Sequence, residues 1–278
     1  MSNQLVKSWM STPVITVTEE TPLSEARKII ADNKIRALPV VKDNRLVGII
    51  TRRGLLRLDL SILGEESWHI NADLEDEKVG SVMTLKPLTI LPDSNVPKAA
   101  RIMLENKITA LPVVENNRLV GILTNSDILR FLLDAYEELR KTIYIKNYMT
   151  DEVVSIEKST SLLEAHRLMG TKRIRSLPVI EDGQLVGIVT RTDLMSSDPS
   201  RMVSRNNQEL SLKILTQDVE KLMTSPVYTI SPNAEINVAA RLMLEHKIHV
   251  LPVVDDEKKV VGIITESDLF LMVVQKFY

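Results

Sequence analysis

The sequence predicts an α/β protein, α+β-like in its short strands, in which one unit of strand, helix, strand, strand and helix is repeated four times. Three observations carry that prediction. A Gly-h-h-Thr-x-x-Asp stretch, with h aliphatic, recurs at 121–127 (GILTNSD), 187–193 (GIVTRTD) and 262–268 (GIITESD), and in altered form at 48–54 (GIITRRG). Upstream of each copy, two short β-rich runs flank a polar turn, as in a hairpin. Further upstream, apolar residues step by three, the spacing of one helix face.

The elements follow in order within each repeat. Met10, Met83, Met149 and Met223 each precede an extended apolar segment: PVITV from Pro13, PLTI from Pro87, VVSI from Val153 and PVYTI from Pro226. These are the expected first strands. The first helix is marked by Leu23, Ala26 and Ile29, then by Val96, Ala99 and Ile102, by Leu162, Ala165 and Leu168, and by Ile236, Ala239 and Leu242. The small Ala at the centre lets such a helix lie close to a sheet. Its caps are expected at Thr21, Ser94, Thr160 and Asn233, with Pro22 in the first helical position after Thr21.

The second strand runs through ALPV, ALPV, SLPV and VLPV, and its Pro is tolerated near the strand start. Polar turns follow at 42–44, 115–117 and 181–183, with a longer one at 255–259, and lead to third strands LVGII, LVGIL, LVGIV and VVGII. The second helix begins at the motif Thr, where Thr-x-x-Asp reads first as a capping box. Strand one must reach strand two through the crossover helix. Ile128, Leu129, Leu132, Leu133, Tyr136 and Leu139 stripe one long helix reaching Lys141, and the main boundary is expected near Thr142. Between repeats one and two, 64–80 reads as a solvated acidic loop or helix carrying Glu65, Glu66, Asp73, Glu75, Asp76 and Glu77. Between repeats three and four, Asp198-Pro199 stops a helix, 204–207 is polar loop and 209–215 adds a helical turn.

Composition narrows the chemistry. The 278 residues suffice to bury sizeable cores, and 44% hydrophobic with 26% charged residues describes a globular chain. A formal net charge of -2 gives no reason to expect nucleic acid or an anionic membrane as partner. The chain has no cysteine, which excludes disulfides, thiolate metal sites and a cysteine nucleophile. No apolar run approaches a membrane span, and the first residues lack a basic-then-apolar leader, so a cytoplasmic protein is expected. The four histidines, His69, His166, His246 and His249, form no recognisable ligand spacing, and the nine glycines form no phosphate loop. Catalysis is therefore not expected, and no metal site is proposed.

The coincidence of strand pattern, Leu-Pro-Val segment, hairpin and Gly-h-h-Thr-x-x-Asp resembles the CBS domain over nearly the whole chain. The resemblance implies two Bateman modules: residues 1–142 with repeats at about 7–60 and 80–135, and residues 143–278 with repeats at about 146–198 and 219–275. It also implies adenosine-type ligands, namely AMP, ADP, ATP or S-adenosylmethionine, as regulators and not as catalytic cofactors. By that likeness the motif acid accepts from the ribose diol while the Thr and nearby amides approach ribose or phosphate: Thr124 and Asp127, Thr190 and Asp193, Thr265 and Asp268. Repeat one has Thr51 but Gly54 in place of the acid, which places its cleft in question. Adenine would lie between Ile15, Leu88, Val154 or Tyr228 on first strands and Ala37, Ala110, Ser176 or Val250 before Leu-Pro. Phosphate donors would be Arg36, Thr109, Arg175 and His249, with Arg191 and Arg52 assisting.

Each of these residues also has an ordinary structural role: the Thr-x-x-Asp pair as a helix cap, the aliphatics as core, the cations as solvated strand ends. Repeats three and four combine intact acids with Arg175, Arg191 and His249, so the second module is the better-equipped binder, although Glu266 would repel a nearby phosphate. The expected function is a non-catalytic regulator whose output partner is another protein or a second copy of the chain, as a homodimer or as a pseudo-symmetric disc. The competing reading is an association scaffold with vestigial clefts, for which Gly54 is the best evidence. An enzyme that hydrolyses or transfers nucleotide is a third reading, and the sequence supplies neither base nor metal cluster for it.

Overall fold

The computed structural model describes residues 4–52, 54–55, 77–139, 141–196 and 215–278, and the structural statements below concern these. Glu65, Glu66, Asp73, Glu75 and Asp76, the Asp198-Pro199 stop, the polar stretch at 204–207 and all but Leu215 of the expected turn at 209–215 lie outside them.

Four antiparallel hairpins form the frame: β1 (Ala37–Lys42) with β2 (Arg45–Thr51), β4 (Ala110–Glu115) with β5 (Arg118–Thr124), β7 (Ser176–Glu181) with β8 (Gln184–Thr190), and β9 (Val250–Val254) with β10 (Val260–Thr265). The turn residues explain the tight ones. Asp43 and Asn44, Asn116 and Asn117, and Asp182 and Gly183 all have positive φ, as two-residue type I′ loops require and as Asn, Asp and Gly tolerate. In the fourth hairpin the longer loop is tied instead by Asp255, whose carboxylate accepts from the amides of Glu257 and Lys259.

The first strands are shorter than the apolar runs suggest. Three reduce to single parallel bridges, Val17 with Val40, Ile90 with Val113 and Ile230 with Val253, and only Ile156–Glu157 forms a two-residue strand, β6, beside β7. In repeats two and four the reason is visible. The next parallel bond would need an N–H from the residue two positions on, and Pro92 and Pro232 have none. A further two-residue strand, β3 (Thr84–Leu85), pairs antiparallel with β2.

The first helices are α1 (Leu23–Asp32), α3 (Val96–Asn106), α5 (Leu162–Thr171) and α7 (Ile236–His246), each burying the expected Ala. Their starts correct the expected caps by one or two residues. Asn95 and Ser161 accept from the amides of Lys98 and Glu164, while Pro22 and Glu235 stand at the other two starts without a side-chain cap. Thr21 instead accepts from the Thr18 amide, and Asn233 from the Lys146 ammonium. The second helices are α4 (Asn125–Tyr136), α6 (Arg191–Ser196) and α8 (Glu266–Phe277). The stripe to Lys141 is too long by one turn, since α4 ends at Tyr136. A short helix, α2 (Val79–Val82), opens repeat two.

Contacts divide the chain into two units, which are described separately. The first comprises Met1–Leu58, Glu65–Lys141 and Glu266–Tyr278; the second comprises Asp59–Gly64 and Thr142–Thr265. Within each unit, the leading segment of one repeat docks on the other repeat. In the first unit Ser11 bridges Ile122 and Thr84 pairs with Ile49; in the second, Thr150 bridges Ile263 and Thr224 bridges Ile188. Core follows the same exchange. Val79 and Met83 of repeat two belong to the cluster around Leu23, Leu38 and Ile50, and Val219 of repeat four belongs to that around Leu162, Leu177 and Val189. A single repeat thus lacks part of its own core, the physical reason for pairing.

Candidate functional site at the strand ends

The strand register brings the separate sequence sets together. Ala37 faces Thr51, Ala110 faces Thr124, Ser176 faces Thr190 and Val250 faces Thr265 across their hairpins. Directly opposed residues have Cβ atoms about 5 Å apart. Just before the second strand, the carbonyls of Arg36, Thr109 and Arg175 accept from the amides of Arg52, Asn125 and Arg191 at 3.0, 3.2 and 2.8 Å. In the first three hairpins one end therefore closes where a phosphate-donor candidate, an adenine-pocket candidate and the motif Thr meet. Ile15, Leu88, Val154 and Tyr228 each lie two residues before the parallel bridge on the first strand.

Repeat three has the fullest set. The Thr190 amide and hydroxyl donate to Asp193 Oδ2 at 2.8 and 2.7 Å, and the Asp193 amide donates back to the Thr190 hydroxyl at 3.4 Å. This reciprocal cap is the ordinary role of Thr-x-x-Asp, and it fixes the carboxylate at the helix start. Ser176 is buried opposite, while Arg175 and Asp193 are half-buried. Arg191 is a different matter: its guanidinium donates to the carbonyls of Met169 and Ile174 at 3.1 and 3.2 Å, closing the end of α5. In repeat four, Thr265, Asp268 and His249 are half-buried.

In repeat two the motif acid is fully engaged by the protein. Asp127 is 1% exposed; its Oδ2 accepts from the Thr124 amide and hydroxyl, both at 2.7 Å, and its Oδ1 accepts from Arg130 at 2.7 Å. Burial raises its pKa above the ordinary carboxylate value, against the pull of Thr124 and Arg130. In repeat one the Thr51 hydroxyl accepts from the Gly54 amide at 3.0 Å, so the cap survives without its acid. Ala37 and Ala110 pack together with Ile49 and Ile122 in one small buried cluster bordered by Val14.

Polar atoms also meet where the sequence expected repulsion. Glu266, the first residue of α8 and 6% exposed, accepts through Oε2 from the side-chain amide of Asn125, and its Oε1 lies 3.9 Å from the Arg36 guanidinium. The first-strand residues are more exposed than an apolar pocket wall: Ile15, Leu88 and Tyr228 are 42%, 48% and 50% accessible, while Val154 packs against a core cluster. One face of the Tyr228 ring is stacked on His246, with centroids 3.8 Å apart and planes 16° from parallel. Among the described residues no group of three or more His, Cys, Asp or Glu could hold a metal ion, and no described helix is long and apolar enough to cross a membrane.

Sequence reasoning used the four methionines as landmarks and missed what they do. A Cβ added to Gly48, Gly121, Gly187 or Gly262 would run into the sulfur of Met83, Met10, Met223 or Met149 of the paired repeat, the last at 2.7 Å. The motif glycine is thus a seat for the partner's methionine. The signal was present as a constant Met and a constant Gly in every repeat.

The model of the CBS domain matches residues 6–61, 79–134, 145–199 and 219–274. The chain belongs to the CBS domain family. Over 275 residues it is 28% identical to protein MJ1225 of Methanocaldococcus jannaschii, covering 96% of this chain and 97% of that protein. It is 31% identical over 277 residues to protein MJ1404 of the same organism, covering 97% of this chain and 62% of that longer one. Among solved structures, that of MJ1225, described as a proposed archaeal homologue of γ-AMPK, matches with a TM-score of 0.75 at 27% identity, covering 96% of this chain and 99% of that one. A protein from Pyrococcus horikoshii shares the fold with a TM-score of 0.66 at 24% identity, covering 97% of this chain and 100% of that one. The four CBS repeats defined by the family model each contain one of the four crossover helices and one of the four hairpins, and leading-segment bridges link one with two and three with four.

Proposed function

We propose that this CBS protein is a non-catalytic regulator that binds an adenosine-type ligand, AMP, ADP, ATP or S-adenosylmethionine, at its paired repeats and passes the binding energy to a partner as a change in module geometry. The observation that carries the reading is the end of the β7–β8 hairpin. There a fixed carboxylate, Asp193, shares one strand end with Thr190, Ser176 and Arg175. A carboxylate so held accepts the two hydroxyls of a ribose, and a half-buried guanidinium suits phosphate. Ser176 and Val154 border the base. In repeat four Thr265 and His249 take the corresponding roles, with Val250 and Tyr228 beside the base. The likeness to MJ1225, described as a proposed archaeal homologue of γ-AMPK, is in keeping with a regulatory role.

The second reading, an association scaffold, is favoured in the first unit by two observations. Repeat one has Gly54 instead of an acid, and Asp127 has both oxygens occupied by its own chain. Ligand binding at Asp127 therefore requires rearrangement, whereas repeat three brings its acid, Thr190, Ser176 and Arg175 to one half-exposed strand end. Thermal melting against a panel of AMP, ADP, ATP and S-adenosylmethionine separates the readings. A ligand at about 100 times its dissociation constant adds roughly 2.7 kcal/mol to the folded state. A shift clearly reduced by Asp193→Ala supports the sensor; no shift with any of the four supports the scaffold.

A further inference from the structure

The Glu266 carboxylate has an unusual setting for an acid at the start of a helix. It is 6% exposed and belongs to the first unit through α8, which packs on α3 and α4. The Phe277 ring of α8 meets Phe131 of α4 edge to face at 5.6 Å, and Arg101 of α3 lies 3.8 Å over the Tyr278 ring just beyond it. At the other end of α8, Glu266 holds Asn125 of the repeat-two motif and approaches Arg36 of repeat one.

Two details bear on how this cluster can open: Arg36 reaches solvent, and one atom of Asn125 is unmet. The Arg36 pair is long at 3.9 Å, and Arg36 keeps 49% of its side chain exposed. Asn125 is 6% exposed, and while its amide nitrogen donates to Glu266, its Oδ1 is buried without a hydrogen-bond partner. A buried acceptor left unmet weakens the arrangement that holds it. The same guanidinium stands immediately before Ala37, at the strand end of repeat one that corresponds to the Arg175 end in repeat three, where the proposed function places phosphate. A carboxylate and a phosphate cannot both sit close to one guanidinium without repelling each other.

We propose that Glu266 occupies the phosphate position of the first unit as an internal anion, so that a phosphate-bearing ligand at Arg36 and the seating of the α8 start are mutually exclusive. This deepens the proposed function and rests on it: the first unit is a self-liganded site whose occupation by nucleotide loosens α8. By linkage, whatever holds α8 in place must weaken nucleotide at Arg36 by the same factor. The residue that the sequence marks as a repulsive element is then a selector against phosphate charge, and adenosine, which has none, is indifferent to it.

The test compares binding of adenosine, AMP and ATP to the full chain and to Glu266→Gln, which keeps an acceptor for Asn125 and removes the charge. The expected result is about a fivefold or greater gain in ATP affinity, a smaller gain for AMP and none for adenosine. The gain must vanish in Glu266→Gln combined with Arg36→Gln, and amide exchange in α8 must accelerate on adding ATP to the unaltered chain. Melting of each variant without ligand identifies one that has failed to fold, in which case Arg36→Gln alone is read for loss of the exchange response. If ATP binds through Asp193 and neither Glu266→Gln nor Arg36→Gln alters affinity or exchange, the function stands and the internal anion is refuted. If no adenosine compound binds either the unaltered chain or Glu266→Gln, the function itself fails and this inference with it.

Discussion

An acid three residues after a threonine can serve its own helix, a ligand, or both, and the motif acids of this chain differ in how far the first use excludes the second. Asp127 is committed, with three donors and almost no exposure. Its raised pKa means that the folded state holds this proton more tightly than the unfolded chain, whose value is near 3.8. This group therefore favours folding below that value, and the advantage is lost as pH rises through the native pKa. Chemical denaturation from about pH 4 to about pH 7 should show the unaltered chain losing stability relative to Asp127→Asn; parallel profiles would contradict the burial argument. Asp193 is capped but only half-buried, and Asp268 is half-buried too. Replacing either by Ala should weaken nucleotide about tenfold or more, the worth of a hydrogen bond to a charged group, while Gly54→Ala leaves affinity nearly unchanged. Equal losses at all three positions would count against the assignment.

At the scale of the element, the seat between each motif glycine and the partner repeat's methionine is one of the contacts that hold two repeats together. Gly187→Ala forces a Cβ into Met223, and Gly262→Ala places one 2.7 Å from the Met149 sulfur. Overpacking of this kind costs about 1–3 kcal/mol. Adding Met223→Ala to Gly187→Ala should recover part of the loss, so that the double substitution is less damaging than the sum of the two single ones in urea melts. Simple additivity would mean that the two residues do not share a seat. Here the limits of sequence are plain. The hairpins were legible because Asp-Asn, Asn-Asn and Asp-Gly turns dictate local geometry, and the motif caps because Thr and Asp lie within one turn of each other. First strands were read too long, since periodicity does not reveal which bond a downstream proline such as Pro92 removes. Helix caps were misplaced by a residue or two because Thr21 and Asn233 had other partners, Thr18 and Lys146, that only the folded chain supplies. The methionine seat was illegible as a contact because it joins residues far apart in sequence. The same holds for Glu266, whose sign suggested repulsion of ligand and whose partners, Asn125 and Arg36, lie in other repeats.

For the whole molecule, the exchange of leading segments ties repeat one to repeat two and the hairpins of repeats three and four to each other, so unfolding within each tied pair is expected to be cooperative. Nothing in that exchange requires a ligand, which is why pairing and sensing are separable properties. A ligand that stabilises the chain does so by binding the folded pairs better than the unfolded chain, and it regulates only if it also prefers one arrangement of modules. The central claim is that the strand ends of these CBS pairs accept an adenosine compound through the motif acid. Isothermal titration of the chain with AMP, ATP and S-adenosylmethionine, repeated on Asp193→Ala, tests it most directly. Saturable heat with at least one of the three, strongly reduced in the variant, is the predicted result; no heat with any of them, or unchanged affinity without the Asp193 carboxylate, would contradict it.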